Sequence, residues 1–309
     1  MTLTSLEAFV RGRLLSADLG GSRVAVAAPS PATAQILAEA GIEVVPSPAP
    51  TDFVIDRDAR LTTEMVADHP ERLASLRGVV ETTATGRSHL EKLLKAGRLQ
   101  VPVVAADRST CLQESSAAAT SESVIQSILR VTNVRMAGKR VTVVGYGHLG
   151  RAIVHRVSAM GGRVTVVDSD PLRVLEAHLG GHAVARLLEA VASSEIIITA
   201  TGTGSSLEAS HFDVMATSTM VIDGSGRGES IRLPESNVAR REVRSGVVEL
   251  DVAGVPVYAL LSPDPPVPPL SAAVAVLGLA VVGGLAPGVH AFPAELDAGL
   301  ASAFLGAAT

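Results

Sequence analysis

Aromatic side chains and cysteine are nearly absent from this sequence. Of the 309 residues, 2% are aromatic, none is Trp, and Cys111 is the single cysteine. So few aromatic rings argue against a stacking platform for single-stranded nucleic acid. One cysteine excludes a disulfide within the chain and a cysteine-based zinc site. We therefore expect no bound metal and a reducing compartment, the cytoplasm.

Charge of either sign is also sparse. Charged residues make up 18% of the chain, the net charge is −5, and no run of Lys and Arg is long enough to neutralise a series of phosphates. Nucleic acid is therefore not an expected partner. The stretch from Met1 to Leu15 lacks the apolar region of a signal peptide, which also favours the cytoplasm.

One uncharged stretch, from Leu270 to Ala286, is a candidate membrane segment. It is at the short limit for a membrane span, and no basic flank anchors it. We expect a buried core helix and no membrane association, with a membrane helix and a loop-broken segment as the alternatives.

Aliphatic residues, in contrast, are abundant. Hydrophobic residues make up 47% of the chain, and a core of Val, Leu, Ile and Ala is typical of α/β proteins with buried parallel strands. Strand patterns alternate with helix patterns over the first ~118 residues, which predicts a parallel sheet. The predicted strands are 22–28, 41–45, 53–56, 76–81 and 101–105, and the predicted helices are 31–40, 62–66 and 88–95.

A chain of this length suits two domains. The polar run 107–123 predicts a hinge that leads into a helix at about 121–131, and the proline-rich run 262–269 predicts an extended linker. We expect a smaller outer α/β domain, on the substrate side, made of residues 1–118 and 266–309, with a mostly helical C-terminal part. Residues 119–265 are expected to form the second domain, with a cleft between the two.

A glycine pattern in the second domain predicts a dinucleotide-binding loop. Residues 140–145 form a β-branched strand, and residues 151–160 have helical spacing. In a Rossmann domain the first glycine makes a tight turn, the second lets the backbone approach the pyrophosphate, and the third lets helix and strand pack closely. The helix N-terminus supplies N–H groups to the phosphates. An ordinary glycine-rich turn is the alternative. The predicted cofactor residues of this loop are Gly145, Gly147, His148, Leu149 and Gly150.

The next strand ends in Asp168, about 20 residues beyond the loop, where an acid binds the ribose hydroxyls of NAD. Its charge opposes the 2′-phosphate of NADP, so NAD is the predicted cofactor, although the nearby Arg173 leaves NADP open. A later strand ends in Thr199, Thr201 and Gly202. Ligands bind at such carboxyl edges, so these three residues are predicted to contact the nicotinamide ribose, with simple turn chemistry as the alternative.

Several segments resemble the S-adenosylhomocysteine hydrolase family, and they follow one another in that family's order. They are residues 76–86, which contain a threonine-rich loop, Thr132-Asn133, 136–151, 168–171, 175–181, 198–202 and 288–297. The resemblance implies an NAD that stays bound during turnover. It also implies a homo-oligomer, a dimer or a tetramer. Four further cofactor contacts follow from the resemblance: Thr82, Thr83, Thr85 and Asn133.

The resemblance also implies a type of chemistry. In that family NAD oxidises the 3′-hydroxyl of a nucleoside ribose, the neighbouring 4′ proton is removed, and the 5′ substituent is eliminated before water adds. This chain departs from the family on the substrate side. The family's lysine and aspartate for the 3′-hydroxyl proton fall at Cys111 and Ser115, and its ribose-binding glutamate falls at Thr82. We therefore expect elimination or dehydration of a small nucleoside or sugar, as in natural-product biosynthesis, and no efficient hydrolysis of S-adenosylhomocysteine.

Three residues are the predicted catalytic groups: Glu81, Cys111 and Glu114. Each has a structural alternative, which is a solvated strand end for Glu81, a small buried hydrophobe for Cys111, and solubility or helix capping for Glu114. Asp107 and Asp223 are further candidates. Two other functions stay open, namely an NAD-dependent dehydrogenase of a small hydroxy compound and a non-catalytic NAD-binding protein.

Overall fold

The chain forms two compact units, residues 1–116 with 266–309 and residues 117–265. This computed structural model describes residues 2–47, 49–202, 206–224, 230–232, 239–245, 247–252, 255–260 and 267–306. Within these ranges, no helix is both long and apolar enough to cross a membrane. Each unit is built around one sheet, as the alternating strand and helix patterns predict.

The first unit combines an N-terminal part with a C-terminal part. Its N-terminal elements are Thr2–Ser16 (α1), Arg23–Val26 (β1), Pro31–Glu39 (α2), Glu43–Val45 (β2), Phe53–Asp56 (β3), Arg60–Asp68 (α3), Gly78–Glu81 (β4), Ala84–Lys95 (α4), Pro102–Ala105 (β5) and the start of Thr110–Thr132 (α5), with short 3-10 turns at Pro70–Ala74 and Ala106–Arg108.

The second unit begins within α5. Its further elements are Arg140–Val144 (β6), His148–Ala159 (α6), Arg163–Val167 (β7), Pro171–Leu179 (α7), Ala183–Val184 (β8), Leu187–Ser193 (α8), Ile196–Thr199 (β9), Ala209–Phe212 (α9), Met220–Asp223 (β10), Ala239–Arg244 (β11), Val247–Val252 (β12) and Val255–Leu260 (β13). The C-terminal part of the first unit then adds Pro269–Val282 (α10), Gly288–Ala291 (β14) and Ala294–Leu305 (α11).

The sheet of the first unit is parallel throughout. Its strands lie in the order β2-β1-β3-β4-β5-β14. The strand order reverses at β1 and β3, and ligands of open α/β sheets bind at the carboxyl ends of strands near such a point. Buried aliphatic side chains on both faces of the strands explain why β3, β4 and β5 are apolar rather than alternating.

Helix α10 is the core helix that the uncharged stretch predicts. Eleven of its residues are buried, and eight of them pack with strand residues such as Phe53, Val80 and Val104 in one hydrophobic cluster. Each fully buried Leu or Val contributes about 1.5–3 kcal/mol, which explains why the helix carries no charge and has no polar face.

The sheet of the second unit has the Rossmann strand order. Six parallel strands lie in the order β8-β7-β6-β9-β10-β13, and β12 and β11 extend the sheet in antiparallel fashion. The order reverses between β6 and β9, so the loops after these two strands flank the dinucleotide-binding crevice of this fold. The predicted Rossmann fold is therefore confirmed.

The structure differs in part from the expected domain organisation. The predicted hinge at 107–123 is wrong for most of its length, because α5 is continuous from Thr110. No Pro or Gly interrupts this stretch, and the helix start is capped by Ser109, whose Oγ accepts from the Leu112 N–H, and by Asp297, which accepts from the N–H groups of Thr110 and Cys111.

The mostly helical C-terminal part also contains strand β14. The predicted proline-rich linker lies outside the described residues, apart from residues 267–269.

Candidate functional site

The glycine loop after β6 has the tight geometry that its pattern predicts. Gly145 has φ +100°, and a Cβ built on it would lie 2.8 Å from the carbonyl oxygen of Ala200. A Cβ on Gly150 would overlap the carbonyl oxygen of Gly145. The first glycine therefore permits the turn next to the loop that follows β9, and the third permits α6 to pack against the turn.

The start of α6 is open in the way that a phosphate site requires. Gly147 is the N-cap residue, and no described side chain caps the helix there. A Cβ on Gly147 would meet only Nη1 of Arg173, at 3.7 Å, among the described residues. The helix therefore directs the N–H groups of its first turn and its partial positive charge toward this space. His148 and Leu149, half-buried, occupy the first turn beside it.

Asp168 lies directly after β7 and contacts the glycine loop, and its predicted contact with the ribose stays a prediction. Its Oδ2 accepts a 2.6 Å hydrogen bond from the N–H of Tyr146, and its Oδ1 accepts a 2.9 Å bond from the N–H of Asp170. A carboxylate has about four acceptor positions, so about two remain for ribose hydroxyls. The ring of Tyr146 packs on the edge of His182, with 6.3 Å between ring centroids. These contacts fix the acid relative to the glycine loop.

The other predicted cofactor residues of this unit differ in exposure. Thr199 is fully buried, and its hydroxyl is shared with that of Ser230 at 2.6 Å. Thr201 is half-buried and forms a short hydrogen bond with Ser206, and Gly202 is exposed. Asn133 is exposed at the end of α5, with φ 55°. Their contacts with a cofactor stay predictions.

Two buried carboxyl groups end adjacent strands of the first unit. Asp56 and Glu81 are paired in register on β3 and β4, and they are 1% and 0% exposed. Burial raises the pKa of Glu81 to about 7, and the charge of Asp56 adds to this shift, against the hydrogen bonds from Thr83 and Ala59. Burial also raises the pKa of Asp56. A carboxyl group that titrates near neutral pH suits proton transfer.

The contacts of Glu81 favour a positioning role. Oε1 accepts from the N–H groups of Asp58 and Thr83 and from the Thr83 hydroxyl, and Oε2 accepts from the N–H of Ala59. Asp58 and Ala59 have left-handed backbones, with φ 60° and 54°. Glu81 therefore ties the strained turn after β3 to the threonine loop. Its direct participation in catalysis stays a prediction.

The threonine loop leads into α4. The Thr82 hydroxyl donates to the carbonyl oxygen of Asp56 at 2.8 Å, and the Thr83 hydroxyl accepts from the N–H of Gly86 as the N-cap of α4. Thr85 is half-buried in the first turn of the helix. Thr82 and Thr83 thus have hydroxyl partners within the first unit, and the predicted contacts of all three threonines with the cofactor remain predictions.

Cys111 lies in the first turn of α5, where the structure gives no support for acid–base chemistry. Its Sγ is 3.3 Å from the carbonyl oxygen of Asp297, and burial, followed by the interaction with Asp297, raises the pKa of the thiol to about 12. A thiolate is the reactive form, so this thiol matches the small buried hydrophobe better. The Ser115 hydroxyl bonds to Ser271 at 2.7 Å, and Glu114 is exposed on the same helix.

Asp107 is a stronger candidate than its sequence context indicates. It follows β5 and is 9% exposed, and its Oδ2 accepts a 3.0 Å bond from Nε of Arg87. Its buried Oδ1 has no hydrogen-bond partner among the described residues. Arg87 in turn binds Glu91 at 3.0 Å. A buried carboxylate oxygen without a partner is costly, so this oxygen is suited to accept a hydrogen bond from a ligand.

Comparison with known proteins assigns the second unit. Residues 117–249 match the sequence model described as S-adenosyl-L-homocysteine hydrolase, NAD binding domain. The S-inosyl-L-homocysteine hydrolase of Methanosarcina mazei is 37% identical over 164 residues, which are 53% of this chain and 40% of that protein. The adenosylhomocysteinase of Thermococcus kodakarensis is 32% identical over 223 residues, 65% of this chain and 53% of that protein. The chain thus spans about half or less of the length of these relatives.

Solved structures agree on the fold. A dipicolinate synthase from Bacillus halodurans superposes with a TM-score of 0.58 at 16% identity, covering 85% of this chain and 97% of that one. A transhydrogenase from Sinorhizobium meliloti gives a TM-score of 0.54 at 16% identity, covering 88% and 86% of the two chains. The match to the family model and to the two hydrolases confirms the resemblance that the motifs indicate, and NAD is the cofactor of the second unit.

Proposed function

Because residues 117–249 form an NAD-binding domain of the S-adenosyl-L-homocysteine hydrolase family, we propose that this chain is an enzyme that uses a retained NAD to oxidise a hydroxyl of a nucleoside or sugar transiently. Elimination or dehydration of the oxidised substrate follows. The overall reaction is redox-neutral, and it differs from efficient hydrolysis of S-adenosylhomocysteine.

The observation that carries this proposal is the preorganised cofactor site. The uncapped start of α6 at Gly147 is set to bind the pyrophosphate. The carboxylate of Asp168, held by the Tyr146 N–H, is set to accept the adenosine ribose hydroxyls. Bound NAD would supply a reversible hydride acceptor, and these residues hold and orient it.

The first unit carries its own candidate groups for binding a substrate. Asp107 has a buried oxygen that can accept a hydrogen bond from a substrate hydroxyl, and its other oxygen is paired with Arg87. Glu81 would act by positioning the threonine loop through Thr83. We propose Asp107 rather than Cys111 as the residue of this unit that contacts a substrate hydroxyl, because the raised pKa of the thiol disfavours its reactive form.

The proposed substrate class follows from the relatives of this chain and from the positions at which the chain differs from their family. The relatives' names denote hydrolysis of thioether nucleosides, which supports a nucleoside-like substrate. At Cys111 and Ser115, however, the family's lysine and aspartate are missing from this chain. We therefore propose a substrate whose leaving group differs from homocysteine. Assembly into a dimer or tetramer and a cytoplasmic location remain predictions.

The proposal is tested first by the cofactor that the protein retains. The protein is purified without added nucleotide and denatured, and NAD is assayed in the supernatant by enzymatic cycling. We expect NAD in an amount comparable to that of the protein. If NAD is nearly absent and titration of the folded protein detects no binding, the proposal of a retained cofactor is wrong.

A further inference from the structure

Arg173 stands beside the ribose-binding acid of the cofactor site. It lies on the first turn of α7, and its side chain is 48% exposed. Its Nη1 is 3.7 Å from Oδ2 of Asp168, and its Nε is 3.8 Å from Oδ2 of Asp170. The same Nη1 is 3.7 Å from the position of a Cβ on Gly147. The guanidinium therefore stands between the acid and the phosphate-binding loop.

The contacts of Arg173 are loose compared with those of its neighbours. Distances of 3.7 and 3.8 Å exceed hydrogen-bond length, and half-exposed ion pairs of this kind contribute little stability. Asp168 is instead fixed by N–H groups at 2.6 and 2.9 Å. Arg173 can thus turn toward a bound ligand without disturbing the acid.

A phosphate on the ribose 2′-oxygen would enter this location. The 2′-oxygen belongs to one of the hydroxyl groups that Asp168 is placed to accept, and a phosphate there meets both the carboxylate and the guanidinium. Arginine binds phosphate through paired charge-assisted hydrogen bonds. The two side chains therefore act in opposite directions on a 2′-phosphate.

We propose that Arg173 gives this chain a second cofactor class, nucleotides with a 2′-phosphate such as NADP, which bind at the same site more weakly than NAD. Asp168 favours the free ribose, and Arg173 partly offsets that preference. This inference rests on the proposed cofactor site, but it does not depend on the reaction proposed above.

The test compares matched adenosine nucleotides by calorimetric titration of the full chain freed of endogenous nucleotide. The probes are AMP with adenosine 2′,5′-bisphosphate, and NAD with NADP. We expect Arg173→Ala to weaken the binding of both 2′-phosphorylated probes roughly 10- to 100-fold, and to weaken the binding of AMP and NAD no more than about threefold. Arg173→Lys retains part of the affinity as a point charge. Asp168→Asn tightens the 2′-phosphorylated probes relative to AMP.

Arg163→Ala is the matched control, because Arg163 is an exposed arginine at the opposite, amino end of β7. It removes the same charge and leaves the selectivity unchanged. If Arg173→Ala weakens the binding of all four probes equally, the guanidinium contacts the pyrophosphate and the inference is overturned. Wild-type protein that binds AMP but not adenosine 2′,5′-bisphosphate also overturns it. Failure to bind any probe refutes the cofactor site itself, and thermal unfolding of each variant shows that it remains folded.

Discussion

The backbone N–H of Tyr146 donates a 2.6 Å hydrogen bond to Oδ2 of Asp168. Tyr146 lies between the first two glycines of the phosphate loop, and Asp168 directly follows the neighbouring strand β7. One hydrogen bond thus joins the loop that we propose to bind the phosphates to the acid that we propose to bind the ribose. This bond holds the loop and the acid at a fixed distance from each other.

The first prediction concerns Asp168. We expect Asp168→Ala to weaken NAD binding by roughly 1–3 kcal/mol, because it removes charge-assisted hydrogen bonds to the ribose and releases the Tyr146 N–H. Asp168→Asn is the matched control, since it retains one carbonyl acceptor and has a smaller effect. Calorimetric titration with NAD measures both variants. If Asp168→Ala binds NAD with wild-type affinity, the adenosine ribose does not bind at Asp168.

The second prediction separates two glycines of the same loop. A Cβ on Gly150 overlaps the carbonyl oxygen of Gly145, whereas a Cβ on Gly147 meets only Arg173. Gly150→Ala should therefore lower the free energy of unfolding by about 1–3 kcal/mol, as overpacking does. Gly147→Ala should leave the midpoint of thermal unfolding unchanged and weaken NAD binding, because its methyl group occupies the phosphate space. Thermal unfolding and NAD titration measure the two effects. Equal destabilisation of the two variants would contradict the described loop.

Local patterns predicted much of the fold, because strands and turns leave short-range signatures. The strand Phe53–Asp56 has its predicted bounds, and the glycine loop follows β6 as expected. Long-range contacts left no such signature. Asp297 caps α5 from 187 residues away from Thr110, so the polar residues at the start of that helix looked like a hinge. Likewise, β14 is stabilised by its pairing with β5.

In the candidate site, too, local patterns predicted some features, whereas features that depend on long-range contacts could not be predicted. The position of Asp168 follows from its spacing after the glycines, and the structure adds its hydrogen bonds. Nothing local indicates that Glu81 binds a left-handed turn 22 residues earlier in the chain, at Ala59. The environment of Asp107 also depends on Arg87, which binds its Oδ2 from 20 residues away in the chain, and on burial by the packed sheet. Its Oδ1 has no partner among the described residues.

The third prediction is a pH dependence of stability. The pKa of Glu81 is raised from 4.5 to about 7 in the folded chain, so its stabilising contribution is complete below pH 4.5 and is lost as the pH rises through 7. This contribution is on the order of 3 kcal/mol. In Glu81→Gln, which does not ionise, that decline should be absent. Urea unfolding from about pH 4.5 to about pH 8 compares the two proteins. Parallel stability curves would show that Glu81 does not titrate in this range.

The fourth prediction concerns the family's own reaction. We expect homocysteine release from S-adenosylhomocysteine to be slower by orders of magnitude than in the adenosylhomocysteinase of Thermococcus kodakarensis, assayed in parallel. The sequence resemblance places Cys111 and Ser115 where the family has proton-transfer groups, and loss of such groups usually costs roughly 10²–10⁴ in rate. A thiol-specific colorimetric assay measures the product. Release at an ordinary enzymatic rate would show that these substitutions do not impair catalysis.

The central claim, redox-neutral turnover on a retained NAD, is tested by following NADH and product together. The protein with its endogenous NAD is incubated with a panel of nucleosides, and the NADH absorbance band and the product masses are recorded in the same samples. The account predicts a product that has lost water or its 5′ substituent, with no net NADH and no requirement for added NAD. NADH that accumulates in proportion to product, with free NAD required in excess, would contradict it.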